Sequence, residues 1–75
     1  MVSKKKYTEM LVAHEKELVK RYGRKRAMLA NVGWYSDKTS ISSKVYPLTG
    51  RQDTVVFTTV IRHGVITHWE DDYKV

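Results

Sequence analysis

A chain of 75 residues with no cysteine and a formal net charge of +6 has neither disulfides nor thiolate metal sites to staple it. One small domain of this length buries only roughly 60% of its unfolded surface, so the core is thin and a homodimer would be one way to gain buried area. No apolar run approaches the roughly 18 residues of a membrane span, and the basic N-terminus precedes no apolar signal core, which points to a cytoplasmic setting without a membrane partner.

The charge is unevenly placed. Residues 1–26 hold nine Lys or Arg against three acids, a net of +6, whereas residues 27–75 hold five of each and net zero. Five cations, Lys20, Arg21, Arg24, Lys25 and Arg26, fall within seven residues, and Lys4, Lys5 and Lys6 form a second run. Glu70, Asp71 and Asp72 make an acidic pole near the C-terminus. Such asymmetry predicts an acidic partner for one end of the molecule.

In chain order, residues 1–6 read as a disordered basic tail, because three lysines at a helix N-terminus oppose the helix dipole. Residues 7–22 read as an amphipathic helix. Tyr7, Met10, Leu11, His14, Leu18 and Tyr22 recur at helical spacing, Lys20 and Arg21 suit the negative end of the dipole, and Gly23 supplies the stop. Over residues 27–35 the evidence divides: Ala27 to Ala30 favour helix by propensity, while Met28, Ala30, Val32 and Trp34 alternate as a strand would. Strand is the reading taken, with helix the alternative. Residues 36–40 are turn-like, 40–46 form a strand with Ile41 and Val45 inward, and Pro47 ends it or marks an edge.

Residues 54–70, TVVFTTVIRHGVITHWE, read as a β-hairpin rich in β-branched and aromatic residues. A two-residue loop of His63 and Gly64 would need positive φ at both positions. A three-residue loop, Arg62 to Gly64, needs it only at the glycine and sets Phe57 opposite Trp69 on one face. The longer loop is therefore expected. The fold class that follows is α+β: one N-terminal amphipathic helix packed on a small antiparallel sheet of three to four strands, two layers in a single domain.

The basic cluster is the first functional candidate, because cations that neutralise phosphates release condensed counterions and give sequence-independent affinity. Lys20, Arg21, Arg24, Lys25 and Arg26 would hold the backbone of DNA or RNA, and Trp34 and Tyr35, with Tyr46, would stack on unpaired bases. A solvated helix end is the bland alternative, and core packing is the commoner role for Trp34. The three histidines, His14, His63 and His68, match no zinc spacing, so no metal or other cofactor is implied. His14 reads as a packed helix residue and His63 as a turn residue. The expected register sets His68 opposite Thr58 with Glu70 on the same side, a pairing compatible with acid–base work and commoner on ordinary sheet surfaces.

A basic helical half, a small antiparallel sheet and a late group of Arg62, His63, His68 and Tyr73 resemble the RelE-like ribonuclease toxins in outline, and that resemblance implies RNA cleavage. No motif aligns residue by residue, so no catalytic role is carried over. The leading expectation is a small non-enzymatic nucleic-acid-binding or regulatory protein, of a kind found in phage and mobile elements. A second is a protein inhibitor or adaptor that docks on an enzyme through an exposed hairpin patch of Val56, Val60 and Ile66. A small ribonuclease using His68 is the third.

Overall fold

The computed structural model describes residues 3–36 and 39–73, with the backbone alone over residues 32–36. The first helix, α1 (Lys4–Tyr22), starts one turn earlier than its apolar stripe predicts. Ser3 is the N-cap, its hydroxyl accepting the Lys6 amide at 3.2 Å, and Lys6 pairs with Glu9 at 3.2 Å. The cap and this i,i+3 pair offset the unfavourable dipole, so Lys4 to Lys6 belong to the helix and not to a tail. Gly23 at φ 87 stops α1, its amide bonded to the Val19 carbonyl. The residues read as strand divide at Ala30 into a second helix, α2 (Arg24–Leu29), and a first strand, β1 (Asn31–Ser36). Propensity prevails before that point and β-forming residues after it.

Three further strands, β2 (Ser40–Val45), β3 (Val55–Arg62) and β4 (Val65–Asp72), complete a four-stranded antiparallel sheet in the order β1-β2-β3-β4. With α1 across one face, this is the two-layer α+β architecture expected. No helix among the described residues is long and apolar enough to cross a membrane.

The core lies between α1 and the sheet in two apolar clusters. Met10, Ile41 and Ile61 fill one, flanked by Tyr7, Leu11 and Ile66. Leu18, Val45 and Phe57 fill the other, flanked by Tyr22, Ala27, Ala30 and Val55. Between them each element contributes one polar residue at the next inward position: His14 from α1, Ser43 from β2, Thr59 from β3 and His68 from β4. His14, Ser43 and Thr59 are wholly buried.

The β3–β4 register differs from the expected one. Arg62 pairs with Val65, Thr59 with His68, Thr58 with Trp69 and Phe57 with Glu70. The loop is thus the two-residue one, and His63 adopts φ 52 beside Gly64 at φ 77. Such a primed turn matches the twist of the flanking strands, and histidine is among the few non-glycine residues that enter the left-handed region with any frequency. Strain at His63 is offset by the pairing it permits: Ile66 joins the Met10, Ile41 and Ile61 cluster opposite Ile61, and His68 reaches the buried polar layer. Trp69 therefore stands on the opposite sheet face from Phe57.

Candidate nucleic-acid interface

The two helices meet at Gly23, which brings the five clustered cations to one end of the molecule, where their surroundings separate them into two groups. Arg21 and Arg26 are engaged with the fold. Arg21 Nε donates to Glu17 Oε2 at 3.1 Å, and its guanidinium lies 5.0 Å from the Phe57 ring centroid. That bond is the main reason the Glu17 carboxyl is held below the usual range. Arg26 donates from Nε to the Tyr46 carbonyl and from Nη2 to the Asp53 carbonyl, both at 3.0 Å, and stacks 5.2 Å from the Tyr22 ring centroid. It clamps α2 to the segment joining β2 and β3.

Lys20, Arg24 and Lys25 are different. All three are exposed, and among the described residues none forms a hydrogen bond or ion pair. Residues 18–36 contain no acid, so this end offers a patch of cations held by structured backbone. Trp34 and Tyr35 belong to β1, and their side chains lie outside the described part of the structure.

The acidic stretch is not a distant pole. Tyr22 at the end of α1 donates its hydroxyl to the Glu70 carboxylate, which stands beside the basic end of the helix. Burial, reinforced by this bond and the Glu70 charge, pushes the Tyr22 hydroxyl well above its ordinary pKa. Asp71 faces the other side of the sheet and accepts the Trp69 indole N–H at 3.0 Å.

Two of the histidines, His14 and His68, join a chain of hydrogen bonds with Ser43 and Thr59. His14 Nε2 lies 2.6 Å from Ser43 Oγ, His14 Nδ1 lies 2.7 Å from Thr59 Oγ1, and the same oxygen lies 2.7 Å from His68 Nδ1. Stacking of both imidazoles on Phe57, at centroid distances of 5.1 and 5.7 Å, fixes the rings. Burial, then the proximity of His68, lowers the His14 pKa to about 4, so His14 is neutral at pH 7. His68, on the helix side opposite Thr59 and not Thr58, is also lowered, first by burial. The resemblance built on Arg62, His63, His68 and Tyr73 gains no site from the fold. Arg62 and His63 lie at the hairpin turn, Tyr73 at the far end of β4, and His68 on the helix side.

Among the described residues no group of three His, Asp or Glu is placed to hold a metal ion. Comparison with protein-family models, curated proteins and solved structures finds no match. The sheet face away from α1 contributes groups that the sequence reading assigned elsewhere. Inward parity on β2 and β3 leaves Ser42, Lys44, Val56, Thr58 and Val60 on that face, with Trp69 beside them. Ile66 packs on the helix side and Val60 is 9% exposed, so the expected patch of Val56, Val60 and Ile66 does not form. Trp69 was the readable signal there, masked by the register assumed for it.

Proposed function

We propose that this protein binds nucleic acid, holding backbone phosphates where α1 ends and α2 begins. The observation that carries the reading is that Lys20, Arg24 and Lys25 are exposed on adjoining helix ends, without ion pairs among the described residues, while Arg21 and Arg26 are committed to the fold. Cations that serve folding are satisfied by the protein. Those that are not are available to phosphates, and helices spare the set the backbone part of the ordering cost. Titration of labelled single-stranded and duplex oligonucleotides tests it by fluorescence anisotropy. Saturable binding is expected, weakened about tenfold or more when Lys20, Arg24 and Lys25 are together replaced by Gln. Binding to neither probe would end this reading.

Met28 and Leu29, exposed 76% and 60% beside the same cations, favour a second reading in which that end docks on a protein. Ser substitutions at these two positions, which leave the charge unchanged, would then abolish capture of the partner and leave oligonucleotide binding intact.

A further inference from the structure

We infer that the sheet face turned away from α1 is a stacking platform for single-stranded nucleic acid, with an unpaired base carrying an exocyclic amino group lodged against Trp69. The inference rests on the nucleic-acid reading and names the part of the ligand that the cations alone would not recognise.

Trp69 is 40% exposed on this face, directly opposite Thr58. Its indole N–H is already satisfied by Asp71 Oδ2, which fixes the plane of the ring and leaves its flat surface for contact. Beside it is a depression of about 510 Å³ whose lining includes Ser42, Thr58, Val60, Arg62, Trp69 and Asp71. An exposed aromatic ring and an exposed arginine lining one depression suit a planar, negatively tethered group. Ser42 Oγ and Thr58 Oγ1 lie 2.9 Å apart, both buried and bonded to each other, so the groups left for a base are the indole face and the carboxylate.

The single carboxylate sets the preference. Asp71 can only accept hydrogen bonds, so it favours cytosine, adenine or guanine, whose amino groups donate. Uracil and thymine set two carbonyl oxygens around one N–H and are repelled by it.

The face also carries a lysine and a tyrosine beside the segment that Arg26 holds. Lys44 lies on it next to Ser42's row, its Nζ 3.9 Å from the Tyr73 ring centroid and 5.4 Å from that of Tyr46. Tyr46 is 39% exposed, and its carbonyl is the one held by Arg26. Lys44 and Tyr46 thus offer further contacts to a strand stacked at Trp69.

The test uses the full chain with 12-mers of oligo-C and oligo-U or oligo-T, as RNA and DNA, beside a duplex control, with thermal melts confirming that each variant folds. Wild-type protein is expected to bind oligo-C at least about fivefold more tightly than oligo-U or oligo-T. Trp69→Ala is expected to weaken single-strand binding about five- to 150-fold while duplex binding changes little, and Trp69→Phe to retain most of the affinity. Asp71→Asn, which gains a donor, is expected to erase or reverse the preference for C. Single-strand affinity unchanged in Trp69→Ala, with duplex still bound, would overturn the platform and leave the phosphate reading standing. Failure of the wild-type protein to bind any of these probes would overturn both.

Discussion

His14 and His68 share one hydroxyl, each placing its Nδ1 2.7 Å from Thr59 Oγ1. That oxygen carries one proton, so it donates to one ring and accepts from the other, and the two neutral imidazoles must be opposite tautomers. The rest of the chain follows: if His14 donates from Nδ1, its Nε2 takes the Ser43 proton, and His68 presents an N–H outward. No buried side-chain nitrogen or oxygen among the described residues lacks a partner. A polar layer can sit between two apolar clusters because it is fully satisfied.

That layer makes the fold sensitive to acid. His14 has a folded pKa of about 4 against an ordinary 6.5, so the folded state binds fewer protons than the unfolded chain between those values. The stabilisation is present above pH 6.5 and is lost as pH falls towards 4, to the extent of about 3 kcal/mol, with His68 acting in the same direction. Denaturant unfolding at pH 7 and pH 4.5 should show the loss. His14→Gln should be less stable at pH 7 and much flatter between the two, and an equally steep variant would assign the acid sensitivity elsewhere.

Thr59→Val is nearly isosteric and removes the shared hydroxyl, leaving buried ring nitrogens of His14 and His68 without partners. A cost of at least about 1–3 kcal/mol is expected. Thr58→Val, one residue away on the other face, removes one bond to Ser42 and should cost less. Chemical denaturation of both decides it, and a Thr59→Val protein as stable as wild type would show that the layer contributes nothing.

The hairpin turn is improvable. His63 at φ 52 precedes Gly64 at φ 77, and Asn-Gly is the pair such a turn favours. His63→Asn should raise the melting temperature slightly, by the equivalent of about 0.5–1 kcal/mol. Gly64→Val should lower it clearly, although open space surrounds the position, because the strain lies in the backbone. A His63→Asn melt below wild type would contradict the assigned turn.

The two kinds of cation should separate in stability measurements. Arg26→Gln loses two hydrogen bonds that tie α2 to the sheet and should cost about 1–2 kcal/mol. Lys25→Gln should stay within about 0.5 kcal/mol. Equal effects would mean that Arg26 is no clamp.

What the sequence discloses here follows its periodicities. The stripe from Met10 through Leu18 and the inward positions Ile41 and Val45 are legible, because each element alternates with its own period. The polar layer also left a trace: His14, Ser43 and Thr59 each interrupt an inward apolar series midway between two hydrophobic residues. The register was not legible, because positive φ at His63 and the split of Phe57 from Trp69 both argue against the two-residue turn that forms. The observed register gives up a Phe57–Trp69 pair and gains the hydrogen bond between Thr59 and His68. Nor could spacing say which cations the backbone carbonyls of Tyr46 and Asp53 would occupy, since that contact spans 20 residues or more.

Binding of nucleic acid through Lys20, Arg24 and Lys25 is tested most directly by the salt dependence of affinity, for wild type and for the variant with all three replaced by Gln. If each contacts a phosphate, the slope of log affinity against log salt should shrink by about 2–3, at roughly 0.7–0.9 per contact, with the melting temperature unchanged. The same affinity and the same slope in both proteins would contradict the account.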